Sequence, residues 1–399
     1  FIFVPLDSFG QTAEDYLKSG NSKFEQKDYQ GSVLDFTKAI ELKPDYYKAY
    51  HNRGSVKMTL EDYYGAIEDY TKAIELDPNN INTYINRGLA KYYSRDDEGS
   101  IEDYNKAIEL DPDDEKAYYN RGLAKEDLKD YKGVIADYTK VIELKTNDAE
   151  AYFRRGKART ALKDYYGAIA DYIKAIELKP DYTKAYFQSG LAKYYLKDIE
   201  GAIEDYNKAI EIDPDYTLAL LNRGDLKFEL KDNEGAIADY TKVIGIVPNS
   251  DEAYKRRGYV KLQLKDNDGS IADYTKAIEL NPNDAFTFIN RGAAKEKLKN
   301  YYGAIADFTE AIEIKPDFAM AFFNRGNQKA LLKDYYGSIV DYLKALELEP
   351  NYTKAYFQSG LAKYYLKDIE GAIEDYNKAI EIDPDYTLAL LNRGDLKFN

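Results

Sequence analysis

Glycine recurs through this chain with a fixed step. One series falls at residues 20, 54, 88, 122, 156, 190, 224, 258, 292, 326, 360 and 394. A second falls at 31, 65, 99, 133, 167, 201, 235, 269, 303, 337 and 371. Both advance by 34 residues and together hold 23 of the 25 glycines, all but Gly10 and Gly245. Prolines at 44, 78, 112, 180, 214, 248, 282, 316, 350 and 384 share the period, with Thr146 in the one gap. A fixed period of this size marks stacked supersecondary units, none of which can bury its apolar face alone.

Counted from Ala13, full units begin at residues 13, 47, 81, 115, 149, 183, 217, 251, 285, 319 and 353, and a partial unit runs from Thr387 to Asn399. Residues 81–114 show the grammar. INTYINRGLAKYYS has apolar residues at helical spacing, RDDEG interrupts it, and SIEDYNKAIEL is helical again. Pro112 lacks a backbone donor and stops the second helix. Each unit therefore reads as helix A, turn, helix B, turn. Neither helix is long enough to persist alone in water, so each packs on its neighbours.

Numbering each unit from its first residue, position 8 is Gly in all twelve copies and position 20 is small in ten of the eleven full ones, Val134 being the exception. Mid-helix glycine costs roughly 1 kcal/mol against alanine, so its retention points to a steric need, with small residues facing each other across the two helices. Position 24 is always Tyr or Phe, and position 27 is Ala except at Val141 and Val243. Position 4 is aromatic in ten copies and Leu in two, Leu220 and Leu390.

This pattern resembles the tetratricopeptide repeat family, and the resemblance covers residues 13–399. It implies an all-α fold, a right-handed superhelical solenoid of antiparallel helix pairs forming one array, with the A helices lining a concave groove. The sequence departs from the family pattern at position 7, Arg in nine of twelve copies rather than Leu, and at position 11, Lys (Arg159 once) rather than Tyr. Position 23 is Asp in all eleven full units. Helix B of one unit should run antiparallel to helix A of the next, which predicts nine bridges between repeats: Asp35–Arg53, Asp69–Arg87, Asp103–Arg121, Asp137–Arg155, Asp205–Arg223, Asp239–Arg257, Asp273–Arg291, Asp307–Arg325 and Asp375–Arg393. On the same register Asp171 and Asp341 would face Ser189 and Ser359.

Composition excludes much chemistry. With no Cys there are no disulfides, thiolate nucleophiles or Cys-ligated metals, and with His51 alone there is no two-histidine zinc helix. A net charge of −15 argues against nucleic-acid binding by counterion release. His51 reads as a lone groove-facing or surface residue. DPDDE at Asp111–Glu115 and KDND at Lys265–Asp268 lack calcium-loop spacing and read as solvated turns. No apolar run approaches the length of a membrane span. The expectation is a non-enzymatic chain without cofactor or metal, whose partners are proteins or peptides, other copies of itself included.

The resemblance puts positions 2, 5, 9, 12 and 13 on the groove. Position 5 carries Tyr119, Phe153, Phe187, Phe323 and Phe357, and positions 12 and 13 carry Tyr92–Tyr93, Tyr194–Tyr195 and Tyr364–Tyr365. Aromatic side chains give large contact area at low entropy cost, so these are the candidate partner-binding residues. The family's clamp for C-terminal carboxylates is not matched, because Glu150 and Glu252 stand where it needs Lys.

Residues 182–228 are identical to residues 352–398, an offset of five units that reads as duplication of a five-repeat block. The partial unit TLALLNRGDLKFN is not polar as a capping helix would be. Its Leu388, Leu390, Leu391 and Phe398 are candidates for end-to-end contact, and head-to-tail stacking that does not close gives filaments. Residues 1–12 lie outside the repeats. FIFVPLDSFG reads as the end of a secretory signal, with Ser8-x-Gly10 before Gln11, and implies export to the envelope or beyond; the rival reading is an apolar arm, Phe1–Leu6. Asn351-Tyr352-Thr353 is a glycosylation motif. Two functional expectations follow: a scaffold that binds a peptide or protein in its groove, and a structural subunit that assembles head to tail into a filament, extracellular if the leader reading holds.

Overall fold

The computed structural model describes residues 11–398; the apolar arm and leader expected over 1–10 lie outside them, as does the side chain of Phe398. Among the described residues every element is a helix, from α1 (Ala13–Glu25) to α23 (Thr387–Phe398). Odd-numbered helices are the A helices of the repeats and even-numbered ones the B helices. The chain forms two compact units, one ending at Ile212 and the other beginning at Asp213. Within each, consecutive helices pack on one another, and A helices of successive repeats also touch, as α5 (Ile81–Tyr93) does α7 (Glu115–Asp127) and α15 (Asp251–Gln263) does α17 (Ala285–Lys297). No described helix is long and apolar enough to cross a membrane.

The second glycine series is explained by the turn between A and B. The residue at position 15, Lys in nine of the eleven repeats, adopts a left-handed backbone, from Lys27 at φ 64° to Lys367 at φ 68°. The next residue is Asp, or Asn300 once, and caps helix B by accepting a hydrogen bond from the backbone N–H of the position-19 glycine at 2.9–3.0 Å. A Cβ at Gly65 would lie 2.2 Å from the Asp62 carboxylate, so the cap and the glycine require each other. The carboxylates of the two acidic turns do the same work: Asp114 caps α7 and Asp266 caps α16 (Asn267–Leu280).

The position-8 glycines have a different cause. A Cβ on Gly88 would meet the Tyr104 ring at 2.7 Å, and one on Gly20 the Phe36 ring at 2.6 Å. The glycine thus makes room chiefly for the position-24 aromatic of its own helix B; small residues across the pair contribute as well, since Gly190 would meet the Ala202 carbonyl at 3.1 Å. All eleven position-24 rings are buried, from Phe36 to Tyr376. Each such ring stabilises the fold by about 1.5–3 kcal/mol relative to exposure.

The charged pairs differ from the expected register. Arginine at position 7 pairs with the aspartate of its own repeat. Arg53–Asp69, Arg87–Asp103, Arg121–Asp137, Arg155–Asp171, Arg223–Asp239, Arg257–Asp273, Arg291–Asp307 and Arg325–Asp341 meet at 2.5–2.7 Å. Asp171 and Asp341 therefore face arginine, not Ser189 and Ser359. Arg393, whose repeat is partial, donates to Asn377 at 2.8 Å. Positions 7 and 23 are equidistant from the turn within a hairpin, and nearly so from the turn that leads to the next repeat. Register alone permits both pairings, and the direction of the Asp side chain selects the nearer helix.

The same aspartate explains the second departure from the family pattern. The position-11 cation, one helical turn beyond the arginine, reaches it at 2.8–3.0 Å in all eleven repeats, from Lys23–Asp35 to Lys363–Asp375. A buried carboxylate flanked by two cations and hydrogen-bonded by both is the form in which buried charge is tolerated. The arginine also spans repeats with its other nitrogen: Arg53 Nη1 donates to Thr37 at 3.0 Å and Arg121 Nη1 to Asn105 at 2.6 Å.

Candidate functional site

The A helices approach one another more closely than the B helices, so their shared face is the inner side of each unit. The predicted aromatics divide there into two kinds. Phe153, Phe187 and Phe357 are 8 %, 6 % and 6 % exposed, and their rings pack on Tyr172, Tyr206 and Tyr376 of helix B at 6.0, 5.7 and 5.8 Å. They are core residues, not a contact surface, because position 5 leans towards helix B. Tyr119 and Phe323 are half-buried, against Tyr138 at 5.5 Å and Tyr342 at 5.9 Å. His51, also at position 5, is half-buried, bonds Thr83 Oγ1 at 2.8 Å and sits edge-on to Tyr70; burial lowers its pKa.

Positions 12 and 13 do form surface. Tyr93, Tyr195 and Tyr365 are half exposed and stack almost flat on Tyr63, Tyr165 and Tyr335 of the preceding repeat, at 5.5, 5.0 and 4.9 Å. Tyr92, Tyr194 and Tyr364 adjoin them at 5.7–5.8 Å. The structure thus gathers these six into three separate tyrosine clusters at the edge where A meets B. Burial, reinforced by the Asp127 carboxylate that accepts a hydrogen bond from its hydroxyl, pushes the Tyr92 phenol up to about 12.

Between the clusters the face is polar. In the first unit, Arg154 of α9 (Ala149–Ala161) reaches Glu126 at 3.0 Å and Glu150 at 2.8 Å, and Lys157 reaches Glu126 at 2.6 Å. The second unit repeats the theme in a cleft of about 360 Å³. There Arg256 pairs with Asp225 and with Glu252 at 2.9 Å, while Lys255 joins Glu252 at 2.9 Å and Asp284 at 3.2 Å. Burial raises the Asp225 pKa, while at Glu252 burial is outweighed by Lys255 and Arg256, so that group is lowered.

One feature of this face is absent from the sequence-based expectation. Position 6 is Asn or Gln in nine of twelve copies, and the exceptions are Lys18, Arg154 and Arg256. Asn86 and Asn120 in the first unit, and Asn290 and Asn324 in the second, are half-buried, and their amides make no hydrogen bond among the described residues. The period-34 column at position 6 was the available signal. The end-contact candidates Leu388, Leu390 and Leu391 are exposed on α23.

Family models agree with this architecture. Models described as TPR repeat match residues 91–129, 190–230 and 360–399, and models described as tetratricopeptide repeat match 47–80, 115–148, 149–182, 218–250, 251–284 and 287–318. The chain belongs to the tetratricopeptide repeat family. A search among curated proteins finds no match. Among solved structures, the C-terminal part of a TPR repeat-containing protein from Cytophaga hutchinsonii aligns over 60 % of this chain and 98 % of its own, with a TM-score of 0.54 and 19 % identity. YrrB, a TPR protein with an unusual peptide-binding site, aligns over 46 % and 95 % at 26 % identity and a TM-score of 0.43. MamA aligns over 42 % and 92 % at 30 % identity and 0.41. Tetratricopeptide arrays are protein-interaction scaffolds, and this chain has that form.

Proposed function

We propose that the A-helix face binds an extended peptide segment of a partner protein. The observation that carries this reading is the set of unpaired amides at position 6. A half-buried amide with no protein partner leaves its donor and acceptor open to a ligand, and an extended peptide backbone offers a donor and an acceptor at every residue. The tyrosine clusters flank these amides and add apolar area. The test is a display selection of random short peptides on the immobilised chain, followed by Asn86→Ala with Asn120→Ala, and separately Asn290→Ala with Asn324→Ala. Selected peptides that bind the variants as tightly as the parent protein would end this reading.

A further inference from the structure

We infer that the cleft over α17, α19 (Ala319–Leu331) and α21 (Thr353–Tyr365) is a receptor for an arginine side chain of the bound partner, an inference that rests on the peptide-binding reading. The cleft has a volume of about 480 Å³, and its lining includes Glu296, Asn327, Lys333, Tyr335, Gln358 and Tyr365, with Leu331 among the apolar residues. The chain carries its own internal copy of this place. Five repeats earlier the same positions hold Glu126, Lys157, Ala161, Tyr165, Gln188 and Tyr195, with Arg154 beside them. There the glutamate is neutralised from within, by Lys157 at 2.6 Å and Arg154 at 3.0 Å.

In the later copy both cations are gone. Asn327 replaces the lysine and Asn324 the arginine, while the glutamate is kept as Glu296. Among the described residues no cation lies within ion-pair distance of the Glu296 carboxylate. From residue 352 the two blocks are identical for 47 residues, so the change falls on the lining of this face while the flanking α21 is untouched. The later copy thus holds the carboxylate without the two cations that pair with it in the earlier one, and Lys333, which also lines the cleft, is not within ion-pair distance of it.

The surrounding groups select the class of cation. Tyr335 and Tyr365 stack on each other, 13° apart at 4.9 Å, and both line the cleft, which leaves each an outer ring face. A planar guanidinium stacks on such a face and meets a carboxylate in a two-point fork, which a lysine ammonium does not. The Gln358 amide has no partner among the described residues and offers an acceptor for a remaining N–H. Asn327 Oδ1 is already held by the Tyr342 hydroxyl at 2.9 Å, which fixes the floor of the cleft.

The test uses the full chain and peptides taken from the random display selection. Each selected peptide is remade with citrulline, a neutral isostere, in place of arginine, and binding is followed by fluorescence anisotropy. The expected result is arginine in the selected peptides, with citrulline and Glu296→Gln each weakening binding by about tenfold. The variant Asn327→Lys restores the lysine that neutralises the glutamate in the earlier copy and is expected to block the cleft. Peptides that bind Glu296→Gln and Asn327→Lys undiminished would overturn the arginine receptor and leave the peptide-binding reading intact. A selection that yields no peptide at all would remove both.

Discussion

Single residues in this array are held to narrow tolerances, and the exceptions are informative. Position 10 is small or apolar in eleven copies, yet it is Gln328 in the tenth repeat. Gln328 is 1 % exposed, and neither Nε2 nor Oε1 finds a partner among the described residues. A buried amide left unpaired costs about 1–3 kcal/mol. Gln328→Leu, the residue type at Leu226, should therefore raise the urea midpoint of the chain; an unchanged or lower midpoint would show that the amide is satisfied in solution. Gly245 is the opposite case. It lies in α14 (Asn233–Ile246), and nothing stands within 4 Å of the place an alanine methyl would take, so Gly245→Ala should gain up to roughly 0.5–1 kcal/mol in the same measurement. Both positions were visible in the sequence as breaks in a column; only the structure says whether a break is buried.

At the scale of the helix pair, the aspartate at position 23 organises each hairpin. Asp307 is almost fully buried between Arg291 at 2.7 Å and Lys295 at 2.8 Å. Asp307→Ala leaves two cations facing each other against α18 (Tyr301–Ile314) and should destabilise that hairpin by about 3 kcal/mol. Hydrogen exchange would show faster opening of α17 and α18 than of α15, and uniform exchange across the array would contradict a local role. The hairpins and the presence of an Asp–Arg bridge were legible from residue spacing, whereas the aspartate caps of the B helices emerge only in the structure. Which repeat the bridge belongs to was not, because positions 7 and 23 come level across both turns. The candidate aromatics were half legible for a related reason: period 34 finds the column, but whether a column points at helix B or at solvent depends on a rotation of tens of degrees about the helix axis, and Phe153, Phe187 and Phe357 turned inwards.

For the whole molecule, the buried tyrosines set the alkaline limit. Burial pushes the phenols of Tyr70 and Tyr376 from an ordinary 10.0 up to about 12. A group whose folded pKa is raised contributes stability that is fully present below its unfolded value and is lost as pH rises towards the folded one. The array should therefore hold its helicity to about pH 10 and lose stability between about 10 and 12, with further such rings at position 24 adding to the effect. Phenolate absorbance and far-ultraviolet circular dichroism should change together over that window. A rise in phenolate absorbance to completion with full helicity retained would show these rings to be accessible. At the acid side the lowered Glu252, Asp251 and Asp284 work in the other sense, and their contribution is lost as pH falls through the carboxylate range.

The placement of the charge clamp inside the repeat has an evolutionary consequence. Had arginine and aspartate bridged neighbouring repeats, every gain or loss of a block would have risked a junction with an unmatched buried charge. Because each repeat neutralises its own aspartate, misaligned recombination between copies in phase yields hybrids that are already electrically complete. The identical stretches 182–228 and 352–398 are what such an exchange leaves behind. Length in such an array can change by whole repeats in a single genetic step without leaving a buried charge unmatched.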